Sequence, residues 1–205
     1  MRPSREPVLI PVAIADLRPT QITVGLREVQ RKRDKWKNLG GDGGRFLGQQ
    51  MIPVVLGPKQ RSYVIDHHHL ARALHEAGQQ SVLTTVVADL HRLERDAFWV
   101  FLDNRGWLHP FDAAGVRQPY AAIPKRIEDL IDDPFRSLAG AVRENGGYAK
   151  DTTPFSEFIW ADYFRRRIKR SALDKDFDDC LKRALAYARD HTASFMPGWC
   201  GSDAD

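Results

Sequence analysis

The stretch Tyr63–Gly78 reads YVIDHHHLARALHEAG and places three of the chain's seven histidines side by side after an aspartate. An apolar run precedes Asp66, and an alanine-rich pattern with helical spacing follows. The first N–H groups of a helix lack intrahelical acceptors, and the helix dipole puts partial positive charge at that end. A phosphate binds well there, and histidines would add side-chain donors. A bare helix end disfavours imidazolium whereas a bound anion favours it. Histidines at such a junction are therefore expected to titrate as an anion arrives.

Other readings share the stretch. A metal site is one, but neighbouring side chains on a helix diverge, and ligands need i, i+3 or i+4 spacing. His68 pairs poorly with His67 or His69. His75 or His91 could complete a set, yet no HExxH or CxxC pattern accompanies them. In the plainest reading Asp66 caps the helix and the histidines are satisfied by local hydrogen bonds. The internal position and the flanking pattern argue against an engineered tag.

The elements that must position these residues follow from apolar spacing. PVLIPVAI, Pro7 to Ile14, reads as a short strand, with Pro11 tolerable only at an edge or bulge. In TVGLREVQRKRDKWKNL, the spacing of Leu26, Val29 and Trp36 predicts a helix with Thr23 as N-cap, ended by GGDGG at 40–44. Met51–Leu56 and Ser62–Ile65 read as a hairpin around a Gly-Pro turn, HLARALHEAG as a helix stopped by Gly78, and SVLTTVVADL as a strand. RLERDAFWVFLDNRG reads as an amphipathic helix, and Trp36 and Trp99 as core. After Trp107 HPFDAAGVRQPYAAIP reads as a turn-rich connection, and beyond it helices without a strand are expected: Pro124–Ile131, Phe135–Glu144, Phe155–Lys169 and Asp174–Ala193. The basic run FRRRIKR reads as a solvated helix face. The expectation is an α/β (α+β) fold, with a mixed-sheet core over residues 1–110 and an all-helical subdomain over 111–205.

Composition narrows the class. The chain has 205 residues, 42% hydrophobic and 28% charged, which suits a soluble globular protein with a sizeable core. A formal charge of +4 favours anionic partners only mildly. Two cysteines, Cys180 and Cys200, read as reduced thiols and point to the cytoplasm. No apolar run is long enough to span a membrane, and the amino-terminal segment is interrupted too early for a signal peptide.

Two motifs carry a resemblance. VIDHHHLARAL resembles the Asp-Gly-His-His-Arg stretch of the ParB/sulfiredoxin superfamily, and looks most like its branch of ParB-like nucleases. LRPTQITVGLREVQRKRDKW is similar to that branch's amino-terminal motif: Pro-Thr-Gln, then Gly, a Glu-Val pair and a Lys. They come in the family's order and rough spacing, and the likeness covers about residues 8 to 105. It implies a small mixed-sheet ParB/sulfiredoxin-like core. Asp66, His68 and His69 match the Asp-x-His-His element, and Glu28 matches the glutamate proposed as base in the free-serine-kinase relatives. Lys32 lies one turn after Glu28, so both can face one site.

The resemblance implies an enzyme acting on nucleotide or nucleic-acid phosphates by phosphodiester hydrolysis or phosphoryl transfer. Its catalytic residues would be Glu28, Asp66 and His68, and its phosphate ligands Lys32, His67, His68 and His69. Asp66 would hold Mg²⁺ or orient a histidine, and a nucleotide such as ATP, ADP or CTP would be a ligand. Two departures stand out: His67 replaces the family's Gly, and Leu70 replaces its Arg. Arg72 lies about 200° round the helix from Leu70 and cannot simply substitute. The alternatives are a small-molecule kinase of the free-serine-kinase type and a non-catalytic DNA-binding regulator of the partition type. The latter would need a helix-turn-helix after the core, and no clear recognition helix is visible.

Overall fold

The structure is a computed structural model and describes residues 9–39 and 50–201. Its strands are β1 (Leu9–Ala13), β2 (Thr23–Val24), β3 (Ile52–Gly57), β4 (Arg61–Val64), β5 (Ser81–Asp89) and β6 (Ile131–Asp132). Its α-helices are α1 (Leu26–Asn38), α2 (His68–Glu76), α3 (Arg95–Asn104), α4 (Pro134–Glu144), α5 (Ser156–Arg165), α6 (Arg170–Lys175) and α7 (Phe177–Arg189). The fold is mixed α+β, as the alternation of periods implies. The described residues form two compact units. One holds the chain up to Val24 and Val29–Ile131; the other holds Gly25–Glu28 and the chain from Asp132 on.

In the first unit a four-stranded mixed sheet has the order β1-β5-β3-β4. β1 runs antiparallel to β5, β5 parallel to β3, and β3 antiparallel to β4. Pro11 sits on the edge strand β1, where its missing N–H is tolerated. The register shifts between Val54 and Val55 in the inner strand β3, and both valines are fully buried. α2 turns Leu70, Ala71, Ala73 and Leu74 inward. Phe98, Trp99 and Leu102 of α3 pack with Ile22, Val55, Leu108 and Ile123, so Trp99 is core.

In the second unit, Trp160 of α5 is fully buried and stacks on Tyr148 at 4.5 Å and Phe164 at 5.5 Å between centroids. Leu138 and Val142 of α4 and Cys180 and Ala184 of α7 complete this core. Burying each large side chain contributes roughly 1.5–3 kcal/mol. Phe158 and Phe164 are buried, whereas Ile159 stays exposed.

Three expected elements are corrected. Thr23 is not an N-cap; it belongs to β2, and α1 starts at Leu26. Its first-turn amides find partners remote in sequence: Leu26 N–H donates to Asp132 Oδ1 at 2.9 Å and Arg27 N–H to Ser137 Oγ at 3.3 Å. Gly25 makes this possible, because a Cβ there would lie 2.8 Å from the Ser137 nitrogen. Residues 124–131 are no α-helix but a single 3-10 turn, Ile127–Asp129, followed by β6. The Ile131 N–H bonds to Ile22 O, and the Arg72 guanidinium takes the carbonyls of Glu128 and Leu130, at 2.8 and 3.0 Å. The expected Asp174–Ala193 helix is broken at Asp176, whose extended backbone and side chain cap α7 by accepting from Asp179 N–H. The GGDGG segment at 40–44 lies outside the described residues.

Candidate functional site

The Pro19-Thr20-Gln21 motif lies in a segment without regular structure, yet Leu17 and residues 20–24 are buried. A buried loop must satisfy its backbone groups individually. Arg18 N–H donates to Ser62 O and Arg18 O accepts from Val64 N–H, so the loop lengthens the sheet beside β4. Thr20 O accepts from His109 N–H, and the Gln21 side-chain amide donates to Thr23 O at 2.6 Å. The Thr20 hydroxyl donates to Val64 O at 2.7 Å.

His68, 3% exposed, completes this set. Its Nε2 accepts the Thr20 N–H at 3.1 Å. A ring nitrogen that accepts from an amide is unprotonated, so the imidazole is the neutral tautomer with its proton on Nδ1. Burial drives its pKa down to about 3; Asp66 pulls the other way, His67 adds to the drop, and a backbone bond to Val64 opposes it. The expected titration near neutral pH therefore does not extend to His68.

His67 and Asp66 are exposed. His67 is the residue before α2, in the left-handed region at φ 64° and ψ 25°, and its own side chain does not cap the helix. Its N–H donates to Asp66 Oδ1 at 2.6 Å, and its Nδ1 lies 3.1 Å from Met51 O. The left-handed conformation is one glycine adopts without steric cost. The chain keeps that turn with a histidine in place. His69, in the first turn of α2, is buried, as is Leu70. Arg72 is committed to the 127–130 carbonyls and to Glu76, whose Oε1 accepts from its Nε at 2.8 Å.

Glu28 and Lys32 are both on α1. Lys32 is half-buried. Glu28 is buried, and its Oε2 accepts from Arg136 of α4 at 3.2 Å. The other terminal nitrogen of Arg136 lies 3.4 Å from Glu157, which also pairs with Arg143. Two acids and two arginines thus alternate inside the second unit. The sequence reading missed this network. Its signal was an arginine inside the run Phe135–Val142, which is buried at every position. A helix apolar all round, with one charge inside it, implies a buried partner.

The basic run FRRRIKR is a largely solvated face: Arg166, Arg167, Lys169 and Arg170 are exposed, and Arg165 alone is half-buried. Arg165 pairs with Asp133 at 2.6 Å and with Asp162, and Arg167 packs its guanidinium on the Tyr163 ring. Burial raises the Asp133 carboxyl above its usual range, although Arg165 opposes the shift.

Residues 10–166 match the model of the family described as "Putative ParB-like nuclease". The chain belongs to this family. The match reaches well beyond the two sequence motifs, and it includes Arg136, Arg143 and Glu157 along with Glu28, Asp66 and His67–His69. Among solved structures, the ParB-like chain is similar to protein Atu1540 from Agrobacterium tumefaciens. The two are 52% identical with a TM-score of 0.92, over 97% of this chain and 100% of that one. No curated protein matches at a significant level. No helix among the described residues is long and apolar enough to cross a membrane.

Proposed function

We propose that this ParB-like chain hydrolyses phosphodiester bonds in nucleic acid, binding phosphate at the N-terminus of α2 and using Glu28 as general base. The observation that carries the reading is the α2 junction. A helix of nine residues begins there at a left-handed His67 whose own side chain does not cap it, flanked by an exposed carboxylate and a buried neutral histidine. Helix-end amides and the exposed His67 ring offer donors to a phosphate. His68 contributes as a neutral ring that fixes the Thr20 loop; His69 and Lys32 complete the assigned phosphate ligands. Glu28 takes a proton from water, the water oxygen attacks phosphorus, the bond to the leaving sugar oxygen breaks, and that oxygen takes a proton from solvent.

No group of three His, Cys, Asp or Glu side chains that could hold a metal ion occurs among the described residues. Asp66 alone does not make a metal cage. Mg²⁺ is commonly held by one or two carboxylates together with substrate phosphate oxygens, and Asp66 fits that shared arrangement only.

Labelled single- and double-stranded oligonucleotides, incubated with Mg²⁺ and the wild type, Asp66→Asn or Glu28→Gln, test the reading. Cleavage by the wild type that falls at least about 100-fold in Glu28→Gln, with oligonucleotide binding retained, supports it. Absence of cleavage together with thermal stabilisation by ATP, ADP or CTP replaces it with small-molecule phosphoryl transfer. A salt-steep mobility shift of duplex DNA without cleavage replaces it with a DNA-binding regulator.

A further inference from the structure

We propose that Arg136 is the positioning residue that orients the Glu28 carboxylate and keeps it charged, and that Gly140 is the space that lets the two meet. The inference rests on the reading of Glu28 as base and deepens it. Arg136 and Glu28 are both more than nine-tenths buried, and the guanidinium reaches Oε2 at 3.2 Å. A buried carboxylate without a cation nearby would take up a proton rather than stay charged.

The guanidinium is itself held from two other sides. Glu157 lies 3.4 Å from its second terminal nitrogen, and the Phe158 ring lies 5.3 Å below its central carbon. Arg143 holds Glu157 in turn. A fork fixed in this way sets the direction of the carboxylate as well as its charge, which a flexible lysine ammonium would not do.

Gly140 supplies an independent observation. It lies one turn after Arg136 inside α4, where glycine is a poor helix former. A Cβ there would stand 3.2 Å from Arg136 Nη1 and 3.3 Å from Glu28 Oε2, tighter than ordinary side-chain contact with both partners of the bond. The backbone at this position is an ordinary helix, and nothing in its dihedral angles calls for glycine. The close approach of the pair is what a side chain would disturb.

The test uses the full chain with ¹³C-labelled glutamate side chains, the Glu28 signal being assigned by its loss in Glu28→Gln. Its titration is followed in the wild type, Arg136→Lys, Arg136→Gln and Gly140→Ala, beside the pH–rate profile of oligonucleotide cleavage. The proposal expects the Glu28 midpoint and the acidic limb of the profile to move together toward neutral pH in Arg136→Gln. Arg136→Lys restores the midpoint more than the rate, since it returns charge without the fork. Gly140→Ala keeps every charge, stays folded, and lowers the rate at least tenfold. An unmoved Glu28 midpoint in a folded Arg136→Gln overturns the proposal, as does a fully active Gly140→Ala. If Arg136→Gln does not fold, Arg136→Lys and Gly140→Ala decide. A wild type without cleavage sinks the base reading, while the carboxylate titration still decides whether Arg136 holds Glu28.

Discussion

The Thr20 amide and His68 Nε2, 3.1 Å apart, join a buried loop to the first turn of α2. The bond exists only while the ring is neutral, and burial holds the ring's pKa at about 3. In the unfolded chain a histidine titrates near 6.5. Below that value the unfolded state binds a proton that the folded state refuses, so this stability is present above about pH 6.5 and is lost as pH falls toward 3. Unfolding free energy from urea titrations should drop by about 2 kcal/mol between pH 7 and pH 5 from this group alone. His68→Gln, which keeps an acceptor and has no proton to gain, should flatten that slope.

His67 holds a left-handed conformation that costs an ordinary residue about 1–2 kcal/mol. His67→Gly removes this cost but frees the unfolded chain, so stability should rise or stay within about 1 kcal/mol of the parent. His67→Val should lose about 1–2 kcal/mol or more, because a β-branched side chain fits that region worst. Guanidinium unfolding midpoints separate the two. Equal losses in both variants would mean that the His67 ring, bonded to Met51 O, matters more than its backbone.

Arg72 gives the 127–130 turn a charged donor at the Glu128 and Leu130 carbonyls. Arg72→Ala should cost about 1.5–3 kcal/mol, the usual worth of a hydrogen bond to a charged group. Hydrogen exchange should quicken selectively at Leu130 and Ile131, whose amides bond to Ile127 O and Ile22 O. Uniform quickening across the whole first unit would count against a local role.

The Glu28–Arg136 pair should behave as a buried ion pair. Arg136→Met leaves Glu28 and Glu157 without their shared cation and should cost about 3–5 kcal/mol. Arg136→Met combined with Glu28→Leu should recover at least half of that loss, because it removes the stranded carboxylate as well. A double-mutant cycle read by chemical denaturation measures the coupling, and additive losses would place the two residues outside one network.

The hairpin β3–β4, helix α2 and strand β5 are legible in the sequence because their signals are local: alternation, helical spacing and Gly-Pro punctuation all lie within a dozen residues. The errors lie where the deciding partner is remote. The true cap of α1 is Asp132, 106 residues after Leu26, so Thr23 looked like the better candidate. Arg136 finds Glu28 across 108 residues. Residues 124–131 have helical composition, but Arg72 takes the carbonyls that a helix would need. The histidine junction was readable as a place. The neutral state of His68 was not, because it depends on burial and on one amide from a loop.

That loop also bears on the order in which the protein folds. Thr20 gains its bonds from Val64 and His68, 44 and 48 residues downstream, and Ile22 from an amide further away still. Closing such long loops costs entropy before any contact rewards it. The Pro-Thr-Gln segment can settle only after β4 and α2 are in place. Its substitutions should therefore leave the refolding rate nearly unchanged and speed unfolding instead, so that damage to this motif appears as a shorter lifetime of the native protein.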